Sequence, residues 1–211
     1  MGKGGDFERE FSKKLSLWFT QGKSPDVFWH THGSGGRATM RGKRAKGQLQ
    51  SQHGDIMAVE EEGKPLEAEW SIELKTGYSG KSKKKLKNED GKSVKILLRW
   101  DLLDLIDSAQ TEPVFYSFWN QARRDAELSG RVPVLVFRRN GRKPCIVFTR
   151  GYFNKLVDAF GFPWNDTVIQ VGKRACIMGL DSFFDWVPDI SSVLRKENVQ
   201  KTKHSKLSIA R

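Results

Sequence analysis

Apolar residues recur with a helical period at the start of the chain. Phe7, Phe11, Leu15 and Trp18 are spaced by 4, 4 and 3 and form one stripe, which predicts a helix over 6–20. Asp6 stands at the N-cap position and Gly22 at the stop. Val27-Phe28-Trp29 predicts a short strand. The period then changes to two. In DIMAV (55–59), Ile56 and Ala58 face one way and Asp55, Met57 and Val59 the other; in EAEWSIELK (67–75), Trp70, Ile72 and Leu74 oppose Glu69, Ser71, Glu73 and Lys75. EEEGK between them, with Gly63 able to take positive φ, predicts a turn. Residues 55–75 therefore read as a β-hairpin whose second strand is half-buried.

Residues 76–99 lose periodicity and read as a long, mobile basic insertion. DLLDLID (101–107) predicts a short amphipathic helix. A longer helix covers 114–130, with Phe115, Phe118, Ala122 and Ala126 as its buried stripe and Gly130 at its end. Strands are expected at 132–137 and 145–149, joined by RRNGRK with the hairpin cue Asn140-Gly141. A helix is expected at 150–160, then short strands at 168–171 and 175–178. A further helix begins near residue 189, and from Asn198 the chain is polar and basic. The pattern predicts an α/β fold: a mixed sheet with helices on both sides, in one domain over 1–190, with a basic insertion at 76–112 and a basic tail at 191–211.

Composition adds a core and a partner. Seven tryptophans and thirteen phenylalanines supply buried area, with Trp18, Trp29, Trp70 and Trp164 expected in the core. No apolar run is long enough to span a bilayer, and the first residues have no apolar signal region, so no membrane association is expected. Cys145 and Cys176 lie in separate apolar runs and fit buried thiols in an intracellular, cytoplasmic chain, bacterial or from a phage-infected cell. The net charge of +12 is uneven: residues 37–46 carry +5, 76–100 carry +6 and 195–211 carry +5, which leaves −4 on the rest. Three basic appendages on a slightly acidic body suit a polyanion, and DNA is the expected partner. Arg37, Arg41, Lys43, Arg44, Lys83, Lys84 and Lys85 are the candidate phosphate contacts.

The candidate chemistry lies in the 55–75 hairpin. A hard divalent cation needs two or more oxygen ligands held together. Asp55 and Glu73 fall at facing positions, and the Leu74 carbonyl adds a third oxygen. Lys75, on the face of Glu73, could orient a water or stabilise charge building on phosphorus. A solvated Glu–Lys strand face is the alternative at this point. His30, His32 and His53 lack zinc-finger spacing, and His30 and His32, with the loop, are expected to meet phosphate or solvent.

The order of these features resembles the PD-(D/E)XK nuclease superfamily, most of all archaeal-type Holliday-junction resolvases and related phage or restriction-like endonucleases. KGGDFEREF (3–11) resembles their opening helix, GSGG (33–36) their glycine-serine loop, and GDI (54–56) with IELK (72–75) their catalytic core. WNQARRDAELSGRVPVLVF (119–137) resembles the helix and strand after it. Gly54 stands where the motif has proline, and His30 where arginine is expected. The resemblance implies a restriction-endonuclease-like fold, Glu8 as the helix carboxylate (with Glu10 as competitor), Asp55 and Glu73 as metal ligands and Lys75 as catalytic lysine. It further implies Ser34, Arg9 and Gln121 at the nucleic acid.

The expected function is a Mg²⁺-dependent endodeoxyribonuclease, with Mn²⁺ substituting, acting on branched DNA as a symmetric homodimer. The alternatives are a non-catalytic nucleic-acid-binding module on a nuclease-like fold, and a restriction- or repair-type endonuclease acting on duplex DNA.

Overall fold

A computed structural model describes residues 3–31, 54–78, 83–87, 91, 93–97, 114–171 and 174–194. The first helix, α1 (Lys3–Phe19), buries Phe7, Phe11 and Leu15 as the stripe requires. It starts before Asp6, so Asp6 is not the N-cap. It lies in the first turn, where a carboxylate suits the helix dipole, and pairs with Arg9. Gly22, at φ +83, closes the far end by donating its N–H to the Leu17 carbonyl at 2.7 Å. A buried hydroxyl ties the helix to the first strand. Ser16 Oγ donates to Ser12 O at 2.9 Å and accepts from Phe28 N at 2.9 Å.

Phe28 opens β1 (Phe28–His30), which pairs antiparallel with β2 (Ile56–Ala58), in register Phe28↔Ala58 to His30↔Ile56. This corrects the hairpin expected over 55–75. A 3-10 turn at Glu61–Gly63 and a short helix, α2 (Lys64–Glu69), separate β2 from β3 (Trp70–Tyr78). Pro65 sits in the first turn of α2, and Leu66, Glu67, Ala68 and Glu69 are strong helix formers, so local propensity defeats the apparent period of two. Gly63 is fixed by crowding: a Cβ there would lie 2.8 Å from Val27 Cγ1 and 3.0 Å from Ala58 Cβ.

The main sheet has the strand order β3-β6-β7-β9-β8. Its other members are β6 (Val132–Arg139), β7 (Cys145–Thr149), β8 (Val168–Val171) and β9 (Ala175–Gly179). β3 and β6 run parallel, with Trp70↔Val132 and Lys75↔Phe137 in register, and the remaining pairs are antiparallel. The return from β3 to β6 includes α3 (Val114–Ser129), which buries Phe115, Phe118, Trp119, Ala122 and Ala126 against one face of the sheet. On the other face pack α1, α4 (Arg150–Phe160) and α5 (Leu180–Trp186). The fold is thus mixed α/β with helices on both faces of one sheet. Within the 76–99 stretch, which loses periodicity in the sequence, lies an antiparallel pair, β4 (Lys83–Lys87) and β5 (Ser93–Leu97). Gly91, at φ +75, lies between the two strands. The Asp90-Gly91 dipeptide is a turn cue that the lysine-rich composition conceals.

β3 is not half-buried. Trp70, Ile72 and Leu74 enter the core with α1, while Ser71 and Glu73 are buried on the α3 side. A strand with a parallel partner and helices on both faces has no solvent face. Trp18 and Trp70 are core residues, with ring centroids 6.2 Å apart, and Trp18 Nε1 donates to Val187 O. Trp29 and Trp164 are not: they are 42% and 85% exposed. Trp29 lies on the uncovered face of the β1–β2 ribbon, opposite Met57, and Trp164 rests against Phe162 in the loop after α4. Cys145 and Cys176 are free thiols, raised in pKa by burial. Residues 191–194 are helical, as expected near 189, with Ser191 N donating to Asp189 Oδ1. The expected helix at 101–107, the 32–53 loop and the tail from 195 lie outside the described residues. Among the described residues no helix is long and apolar enough to cross a membrane.

Candidate active site

Asp55 reaches β3 through its backbone. Gly54 takes φ +112, a conformation closed to most side chains, and a Cβ on it would stand 3.1 Å from Ile72 O and 3.2 Å from Ile72 N. That close approach lets Asp55 N donate to Ile72 O at 2.7 Å and Asp55 Oδ2 accept from Leu74 N at 2.7 Å. Thr31 holds the other side: its N–H donates to Asp55 O at 2.9 Å and its Oγ1 to Gly54 O at 3.1 Å. Asp55 and Glu73 are therefore brought together as expected, but by a backbone clamp at the edge of β3 rather than by hairpin pairing. In an extended strand the N–H and C=O of one residue leave by the same edge. Since Leu74 N points at Asp55, the Leu74 carbonyl opens on the Asp55 side, away from β6.

Glu73 is 5% exposed. Its Oε1 accepts from Gln121 Nε2 of α3 at 2.7 Å and pairs with Lys75 Nζ. Burial and then the nearby Asp55 charge push the Glu73 carboxyl up to about 7; Lys75 opposes this and Asp125 adds to it. Glu8, half-buried on α1, is also raised, first by burial and then by Asp55, with Lys75 and Arg9 opposing. Glu8 thus shares one electrostatic neighbourhood with Asp55 and Lys75. Glu10 does not: its Oε2 pairs with Arg138 Nη1 at 2.6 Å. The structure separates the two glutamates that sequence left together.

Gln121, expected at the nucleic acid, stands beside Glu73 and donates to it. Arg9 is exposed and paired with Asp6, and its charge acts on Glu8. His30 is half-buried and stacked on Trp29. Ser34, Arg37, Arg41, Lys43, Arg44, His32 and His53 lie outside the described residues, and Lys83, Lys84 and Lys85 fall on β4. Sequence reasoning missed Asp125. Its signal was a polar pair, Gln121 and Asp125, four apart on α3 beside the buried stripe.

The donor set suits a hard cation: two carboxylates that repel each other, with a backbone carbonyl on the same side. Among the described residues no group of three or more His, Cys, Asp or Glu side chains is arranged to hold a metal ion. In this arrangement Lys75 occupies the place of positive charge at Glu73, so a cation would share or displace that contact. Comparison of the chain with protein-family models, curated proteins and solved structures finds no match in any of the three.

Proposed function

We propose that this chain is a divalent-metal-dependent DNA endonuclease, with Mg²⁺ as the resident ion and Mn²⁺ able to replace it. The observation that carries this reading is the meeting of Asp55, Glu73 and Lys75 at Leu74 inside the fold. Two buried acids held against one another oppose folding unless something offsets them, and such groups concentrate at functional sites. Asp55, Glu73 and the Leu74 carbonyl would hold the ion, with Glu8 supporting it or its water. The ion would polarise the scissile phosphate and supply a water of lowered pKa. Lys75, released from Glu73, would donate to the attacking water or to a phosphate oxygen. Gln121 would keep Glu73 oriented.

Branched DNA, cut by a symmetric dimer, is the substrate ranked first on the sequence resemblance. The test is cleavage of a labelled four-way junction and its matched duplex in Mg²⁺ by wild type, Asp55→Ala and Lys75→Ala. Each variant should lose at least about a hundredfold in rate, the scale of a general acid–base or electrostatic contribution. Variants that cut as fast as wild type would remove the site assignment. The Lys75–Glu73 ion pair favours one competing reading, a binding module whose acids are neutralised from within. It predicts salt-sensitive binding indifferent to EDTA, no cleavage with any divalent ion, and no calorimetric Mn²⁺ site.

A further inference from the structure

The turn between β6 and β7 is a strongly basic, exposed element that the proposed reaction does not use. Arg138, Arg139, Arg142 and Lys143 crowd into six positions with no acid among them, and residues 140–143 are exposed. Its place in the fold gives it meaning. β3 and β6 are parallel, so their C-terminal ends share one edge of the sheet. Lys75 registers with Phe137, Thr76 with Arg138 and Tyr78 with Arg139. Arg139 is thus one strand over and two residues beyond the position opposite Lys75. At about 4.8 Å between strands and 3.3 Å per residue, that is roughly 8 Å from the Lys75 backbone. A duplex advances about 3.4 Å per base pair, so the turn lies some two to four pairs along from a phosphate at Lys75.

The root of the turn is held by two contacts. Arg138 pairs with Glu10 and stacks its guanidinium 4.3 Å above the Phe7 ring, which ties it to the helix that carries Glu8. Arg142 N donates to Arg139 O at 3.0 Å, with Gly141 at φ +71 making the bend. The tip keeps its charge. Asp181 lies 3.9 Å from Lys143 but is in closer contact with Lys14, so this one acid meets two lysines. The lysine-rich β4–β5 pair enters the chain beyond β3, from the same end of that strand.

Building on the nuclease reading, we infer that the β6–β7 turn is a second phosphate-binding element, which grips the backbone of the DNA arm beside the cut. Arginine forks on a fixed turn suit phosphate oxygens, and a site set back from Lys75 fixes the register of the arm without reading sequence. It thereby supplies positioning that the carboxylates cannot.

The experiment is anisotropy titration of a labelled junction with the full-length chain in EDTA, from about 50 to 200 mM salt. The proteins compared are wild type, Arg142→Ala/Lys143→Ala, the charge-keeping Arg142→Lys/Lys143→Arg, and Arg150→Ala/Arg174→Ala. The last pair is exposed at the opposite sheet edge and removes the same charge. The turn variant should bind at least about tenfold more weakly, with a log–log salt slope shallower by about one to two. The charge-keeping variant should follow wild type, and the opposite-edge variant should change far less. Equal losses in turn and opposite-edge variants, or no loss in either, would overturn the inference while leaving nucleic-acid binding intact. A wild-type chain without salt-sensitive DNA binding would overturn the functional reading, and the turn's role with it.

Discussion

A carboxyl group that titrates near neutrality inside a protein reports its neighbours. Glu73 takes up a proton near 7 because it is buried and faces the Asp55 charge, against the partial relief of Lys75. Its folded-state value lies above the ordinary 4.5, so the native fold favours the protonated form. The stabilising contribution is then full below about 4.5 and disappears as pH rises to about 7. Glu8, raised for the same two leading reasons, acts in the same direction. Metal-free protein should therefore show a melting temperature that declines across this window, and Glu73→Gln should flatten the decline; an identical slope in the variant would show that Glu73 is not the group responsible. A cation acts with the opposite sign, since it binds the ionised carboxylate. Mn²⁺ affinity should rise with pH up to about 7 and then level off, with protons released on binding. Calorimetry in two buffers of different ionisation enthalpy measures that release directly.

At the scale of elements, the strands and long helices were legible where period and length agreed. The α1 stripe, the α3 stripe and the β6–β7 hairpin come from apolar spacing and turn residues alone. One error is a local pattern overruled by the element that covers it. The alternation in β3 is real, but α3 covers the face that alternation assigns to solvent, so Ser71 and Glu73 are buried. Helix α5, two turns long, was unreadable because seven residues hardly define a period. The β2–β3 connection looked like a turn because Gly63 is there, yet Gly63 is needed for packing. The residues that meet at Leu74 could be named from their types, while the geometry joining them rests on Gly54, whose role could not be read without Ile72 beside it. Gly54→Ala tests this element. Strain at φ +112 together with the contact on the Ile72 backbone should cost about 1–3 kcal/mol. That corresponds to roughly 3–10 °C in melting temperature. Cleavage should fall more than stability does, because Asp55 would be pushed off Leu74. A variant with wild-type melting and activity would show that the clamp is dispensable.

At the scale of the molecule, the fold separates the buried carboxylates from the lysine-rich ribbon. The five-stranded sheet and its helices enclose the acids and Lys75, while β4 and β5, among the described residues, pair with each other as a separate two-stranded sheet. Lys83 and Leu97 are in register, so their backbones are about 5 Å apart and a short link can replace the residues between them. Replacing residues 83–97 with about four glycine and serine residues should therefore leave the sheet, the Asp55–Leu74 clamp and the melting temperature nearly unchanged. It removes six lysines, five on β4 and β5 and Lys92 between them, so no more than six lysine–phosphate contacts can be lost with them. The log–log salt slope of DNA binding should become shallower by as much as about five, and KM for cleavage should rise steeply. The rate at saturating DNA should stay within severalfold of wild type, since none of these lysines belongs to the cluster of Asp55, Glu73 and Lys75. A shortened chain that melts normally and binds as before would show that the ribbon does not hold DNA. A normal KM with a collapsed saturating rate would instead place the ribbon in the chemistry itself.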